Sequence, residues 1–200
     1  MPSLGVRQTD AMSHGEVGRP AAGTSSGRWQ SALLIPVPEA EAAVQRHRIE
    51  HDPVAAAGVP PHITLIVPWL PPREIGPGDL RELAAIASAT EPFAYSLVRT
   101  CWFGRTVLWL APDPAAPFIA LTGALAEVFG TPPYDDEFDE VVPHLTVGHA
   151  SDGVELAGVA REVDADLPIA CRAAEIWVMV GDGTAWSVHA QVPLGRTTGC

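Results

Sequence analysis

The chain contains no lysine. Its 12 basic residues are all arginines, and they face 24 acidic residues, for a formal net charge of −12. A field of that sign repels long nucleic acids and anionic membranes unless a local basic patch intervenes, and no arginine cluster supplies one. Duplex DNA and membranes are therefore not expected partners. A phosphate-bearing substrate must be small, or held at one concave site by a few arginines.

Cysteine is also scarce. Cys101, Cys171 and Cys200 are too few and too scattered for a disulfide framework or a zinc knuckle. A reducing cytoplasm is the expected location. No apolar run approaches the roughly 18 residues of a membrane span. The first residues lack a charged start followed by an apolar stretch, so no secretory signal is expected. What is present in quantity is hydrophobic sequence, 47% of 200 residues. That suffices for a packed core in one domain or two small lobes.

Residues 1–28 show no period of 2 or 3.6 and read as a disordered leader, and 196–200 as a tail. Between them, Ser31–Val37 reads as a strand and Glu39–Glu50 as a helix with Ala40, Ala43, Val44 and His47 on one face. Gly58, Pro60 and Pro61 precede a β-branched strand, His62–Val67. A helix over Asp79–Ala89 follows. The alternation of Phe93, Tyr95 and Leu97, then Thr106–Leu110, predicts an antiparallel pair. A helix over Ala115–Phe129 ends at Gly130. After the acidic run Asp135–Glu140 come a strand at His144–Gly148, a helix at Val154–Val163, and strands at Ile169–Val180 and Ala185–Pro193 around an Asp182–Gly183 turn.

That order contains a duplication. Pro61–His62–Ile63–Thr64–Leu65 parallels Pro143–His144–Leu145–Thr146–Val147, each followed by a helix and a Pro-led strand. The expected fold class is α+β, with two pseudo-symmetric lobes of antiparallel sheet and outer helices around a cleft.

A single His-x-Thr carries little information. The five-residue pattern is rare, and only two of the seven histidines occupy it. Along a strand, residues two apart point to the same face. Each lobe thus presents one imidazole and one hydroxyl, while Ile63 and Leu65, or Leu145 and Val147, point into the core. Opposed imidazoles suit displacement at phosphorus: one removes a proton from the attacking oxygen and the other delivers one to the leaving oxygen. The threonine hydroxyls can donate to the non-bridging oxygens. This chemistry requires no metal, and no metal-ligand motif is present; the spacing of His144, His149 and the acidic run matches none.

The paired motifs resemble those of the two-histidine (2H) phosphoesterase superfamily, which includes 2′-5′ RNA ligase-like proteins and cyclic phosphodiesterases. The resemblance extends from Trp29 to Gly195 and includes the closing segment Trp186–Gly195. It implies a bilobal α+β fold and work on 2′,3′-cyclic phosphates or 2′-5′ linkages of a nucleotide or RNA end, or the reverse ligation, without metal, ATP or other cofactor. It carries His62 and His144 over as catalytic residues and Thr64 and Thr146 as phosphate-binding ones. It also leaves open whether the halves, 29–112 and 113–195, are interleaved along the chain.

Arg99, Arg105 and Arg172 are candidate substrate contacts. Trp102, Trp109, Trp177 and Trp186 read as core residues, as do Cys101 and Cys171, and His149 and His189 as structural. The expected working unit is a monomer. A non-catalytic nucleotide-binding module using the same cleft is the competing reading.

Overall fold

The computed structural model describes residues 29–132, 140–151 and 153–195. The leader 1–28, the tail 196–200 and most of the acidic run (135–139) lie outside these described residues. The chain order is β1 (Gln30–Pro36), α1 (Glu41–His51), α2 (Pro53–Ala56), β2 (His62–Ile66), α3 (Pro77–Ala89), β3 (Phe93–Phe103) and β4 (Val107–Asp113). It continues with α4 (Ala116–Phe129), β5 (Leu145–His149), α5 (Gly153–Asp164), β6 (Ile169–Ala173), β7 (Glu175–Gly181) and β8 (Trp186–Pro193). No helix among the described residues is long and apolar enough to cross a membrane.

Local chemistry sets the element ends. Pro77 opens α3, and the Asp79 carboxylate accepts from the Gly76 N–H at 2.8 Å, satisfying one amide the helix leaves without a partner. Gly130 closes α4 in the left-handed conformation, φ +62°. The Asp182 carboxylate accepts from the amides of Thr184 and Ala185, which folds the turn between β7 and β8.

The strands form two four-stranded antiparallel sheets, ordered β2-β1-β7-β8 and β5-β4-β3-β6. The halves 29–112 and 113–195 are thus interleaved. β3 and β4 pair with the later β5 and β6, whereas β7 and β8 return to β1 and β2. The helices cross over too: α1 packs on β5 and α4 packs on β2. One hydrophobic core joins both lobes, with Ile63 and Leu65 of β2 and Leu145 and Val147 of β5 in the same cluster.

The expected single strand Ile169–Val180 is two strands in different sheets. β6 pairs with β3, then the chain leaves at Ala174 and β7 pairs with β1. No glycine or proline marks the crossing, so the apolar run conceals it. The short helix α2, capped by the Asp52 side chain on the Val54 N–H, was also not expected. β5 begins at Leu145, one residue later than expected, with His144 just ahead of it.

Candidate active site

β2 and β5 are the outermost strands of their sheets on the sides where the sheets meet, and they lie against each other. Both motifs therefore fall at the junction of the lobes. In each, burial alternates as the two-residue period requires: Ile63, Leu65, Leu145 and Val147 are buried, while His62, Thr64, His144 and Thr146 are half-buried.

The two motifs share finer geometry. Thr64 is in register with Leu34 of β1, and Leu33 is in register with Ile66, so Leu65 is an extra, bulged residue. Likewise Thr146 is in register with Trp109 of β4 and Gly148 with Leu108, which makes Val147 the bulge. A bulge directly after each threonine re-aims the strand at the same point in both lobes.

The imidazoles are held alike. His62 Nδ1 lies 2.8 Å from the Pro60 carbonyl oxygen, and His144 Nδ1 lies 2.7 Å from that of Val142. A carbonyl can only accept, so Nδ1 carries the hydrogen in both rings, and the lone pair of a neutral ring resides on Nε2. Burial is the main cause that lowers both pKa values below the ordinary histidine range. His62 is pushed down to about 3, with the charge of Arg48 as the second cause and that of His144 also contributing. The two imidazoles therefore sense each other across the junction. At His144 the hydrogen bond to Val142 opposes the shift, and His149 adds to it.

Aromatic and aliphatic side chains wall the site on both sides. His144 meets Phe103 edge-on, with ring centroids 4.9 Å apart, and Trp109 at 5.8 Å. Phe103 and Trp109 stack at 4.8 Å. They cluster with Val107 and Ala111 apart from the main core. On the other sheet, Leu34, Val59 and Met179 form a second small cluster, with Trp177 and Trp186 packed against it. Trp102 does pack against the main core, as expected, but Trp109 borders His144, and Trp177 is in register with Leu34 beside Thr64. A tryptophan strand position reads the same in sequence whichever face it occupies.

Of the three candidate arginines, Arg99 is the best placed. It is exposed on β3 in register with Ala111, while neighbouring Leu110 is in register with Leu145, beside His144. Arg105 is exposed in the hairpin turn between β3 and β4, at the end of β5 away from His144. Arg172 is exposed on the far outer strand β6, where its backbone N–H donates to Glu39. The structure does not bring these last two to the histidines.

Three residues near the site carried no functional signal in the sequence. His149 ends β5 and its charge reaches His144. Arg48 and Asp52 form a buried ion pair, and the charge of Arg48 reaches His62. Among the described residues no group of three or more His, Cys, Asp or Glu side chains is arranged to hold a metal ion.

Comparison with known proteins places the chain in a family. A Bacillus cereus protein named "Putative phosphoesterase" is 30% identical over 156 residues, covering 74% of this chain and 87% of that one. Among solved structures, Escherichia coli LigT in its apo form superposes with a TM-score of 0.54 at 19% identity, covering 86% of this chain and all of LigT. LigT complexed with 3′-AMP gives 0.52 at 18% identity, over 84% of this chain and 98% of that one. These structural likenesses establish the shared fold. The profile of the 2′-5′ RNA ligase superfamily matches residues 36–185, which span both histidine motifs, and the chain belongs to that superfamily of two-histidine phosphoesterases.

Proposed function

We propose that the protein is a phosphodiesterase acting on the 2′,3′-cyclic phosphate or 2′-5′ phosphodiester of a nucleotide or RNA end. The observation that carries this reading is the matched pair of histidines on abutting strands, each with Nδ1 tied to a backbone carbonyl and each followed by a threonine on the same face. Water attacks phosphorus and passes a proton to Nε2 of one ring. The P–O bond to the departing ribose oxygen breaks, and that oxygen takes a proton from Nε2 of the other ring. Thr64 and Thr146 donate to the non-bridging oxygens. Ligation is the same displacement with a 5′-hydroxyl in place of water: its oxygen bonds to the phosphorus of the 2′,3′-cyclic phosphate, the P–O3′ bond breaks, and O3′ takes the proton.

Burial disfavours the protonated form of both imidazoles. The negative phosphate raises the pKa of the ring that must carry the proton, because an anion nearby favours the imidazolium. With a net charge of −12 the protein repels long polyanions, which favours small substrates or single RNA ends. LigT has been crystallised with phosphate and with 3′-AMP, ligands of this chemical class. The free thiols of Cys101 and Cys171 suit a reducing cytoplasm, and the working unit is read as a monomer, which sedimentation would check.

The deciding experiment is a phosphorus NMR time course with the four nucleoside 2′,3′-cyclic phosphates and a 2′-5′ dinucleotide. The expected result is conversion to a phosphomonoester, unaffected by chelator and absent in His62→Ala. Thermal stabilisation by these compounds without any conversion would identify a binding module and overturn the enzymatic reading.

A further inference from the structure

We propose that the buried pair Arg48–Asp52 is a positioning device for His62, fixing its ring and opposing its protonation. The proposal rests on the phosphodiesterase reading above.

Arg48 is fully buried and Asp52 is 2% exposed. The guanidinium donates from Nε and Nη2 to one Asp52 carboxylate oxygen, at 3.2 and 2.8 Å. Its Nη1 donates to the carbonyl of Val59 at 3.2 Å. The next carbonyl along the chain, that of Pro60, is the one that holds His62 Nδ1. Pro60 and Pro61 each fix φ near −65°, so the segment between Val59 and His62 has little freedom to absorb a displacement. The Pro61 carbonyl is also tied down, accepting from the Val37 N–H at 2.8 Å. Fixing the Val59 carbonyl therefore fixes the Pro60 carbonyl and the plane of the His62 ring. Asp52 anchors the other end of the same connection by capping α2.

Stability alone does not account for such a pair. Removing two charges from water costs about as much as their attraction returns, and well-packed apolar residues of similar volume serve as well or better. A buried ion pair whose charge reaches His62 calls for another role. Its charge supplies one: Arg48 disfavours a proton on His62 and so keeps that ring in its neutral form. Among the described residues, the charges that reach His62 are Arg48, from α1, and His144, from the other lobe.

Among the described residues the other lobe shows no such pair. α4 is packed on β2 as α1 is packed on β5, and it contains no basic residue; its one charged side chain is Glu127. The charge that opposes protonation of His144 comes from His149.

The test compares two variants with the wild type by histidine 15N NMR titration and by the pH profile of kcat/KM. Arg48→Met/Asp52→Leu removes both charges at similar volume. It is expected to keep a cooperative melt, to raise the His62 pKa by about one unit or more, and to move the acid limb of the profile upward with it. Arg48→Lys keeps the charge but, as a single ammonium, cannot hold Asp52 and Val59 as the planar fork does. It is expected to lower kcat about 10-fold or more with KM and the acid limb unchanged. A folded double variant with unchanged His62 titration and unchanged profile overturns the proposal. So does a variant in which the His144 resonance moves instead. Should the double variant fail to fold, Arg48→Lys decides alone: wild-type kcat and an unshifted His62 ring signal would refute the positioning role. The NMR measurements need no turnover, so a protein that cleaves none of these phosphodiesters would fail as an enzyme while the effect of Arg48 on His62 is still read.

Discussion

His62 and His144 make the same hydrogen bond in two different lobes. Each ring gives its Nδ1–H to the carbonyl two residues earlier, Pro60 at 2.8 Å and Val142 at 2.7 Å. The bond needs nothing but backbone, so the tautomer of each ring is set by the strand that carries it. In each lobe the chain then continues through a threonine into a bulge. Two rings held alike differ in their surroundings, His62 facing the charge of Arg48 and His144 the rings of Phe103 and Trp109.

If both rings act in one displacement, removing either should stop most of it. His62→Ala and His144→Ala are each expected to lower kcat by about 10² to 10⁴, the range of general acid–base catalysis. The double variant should be barely worse than either single one, because groups acting as a unit are not additive. Steady-state kinetics on the best cyclic phosphate, with circular dichroism to confirm the fold, checks this. Independent, multiplying losses would show that the two rings do not share a step.

Under the proposed mechanism the threonines act on the phosphate rather than on the proton. Thr64→Val and Thr146→Val keep the β-branched shape that suits a strand and remove one donor each. The expected loss is about 10-fold to 100-fold in kcat/KM, less than for either histidine. Binding of inorganic phosphate, followed by phosphorus line broadening, should weaken in both. A valine variant with unaltered phosphate binding would remove that threonine from the site.

Much of this was legible in the sequence because strands announce themselves by alternation. The pattern His62-x-Thr64 beside Ile63 and Leu65 states which side chains face the core and which do not, and the structure follows it. Pairing between strands is not written in the same way. Nothing in Ile169–Val180 tells the chain to change sheets at Ala174, because both segments satisfy the same apolar preference and the choice depends on partners far away in the chain. The same limit hid Arg48. On α1 it looks like a solvated helix arginine with Asp52 four residues on, and only tertiary packing buries the pair and turns it toward Val59. Trp109 illustrates the limit from the other side. An apolar strand residue signals burial, but not whether it is buried in the core or against a reacting imidazole.

The lowered histidine pKa values make stability depend on pH in a definite sense. In the unfolded chain a histidine titrates near 6.5. In the folded protein His62 titrates near about 3, and His144 and His47 are shifted the same way, all three chiefly through burial. Below 6.5 the unfolded state therefore binds more protons than the folded one, and acid favours unfolding. Stability should be fully present above about pH 6.5 and fall as the pH drops toward 3. Urea midpoints at pH 7.5 and 4.5 measure the difference. Exposed Asp182, whose carboxylate is stabilised by the hydroxyl and amide of Thr184, acts in the same direction at lower pH, so the informative quantity is the change on substitution. His62→Gln should shrink the gap between the two midpoints. An equal gap in wild type and variant would mean that His62 is not held neutral by the fold.

Gly148 links the packing of the fold to the geometry of the site. It lies in β5 two residues after Thr146, where α1 crosses the strand. A Cβ there would come within 2.7 Å of the His51 Cβ and 3.2 Å of Leu156. His51 cannot swing clear, since the clashing atom is its Cβ and moves only with the backbone of α1. Gly148→Ala must therefore push α1 off β5 or bend β5 itself. Overpacking of this kind costs about 1 to 3 kcal/mol. The same displacement should reach the chemistry by two routes: β5 carries Thr146 and follows His144 directly, and α1 carries Arg48. A lower urea midpoint together with a kcat reduced at unchanged KM is the expected result. A stability loss with wild-type kcat would show that the site tolerates movement of α1, and a protein as stable as wild type would show that α1 and β5 are not packed as described.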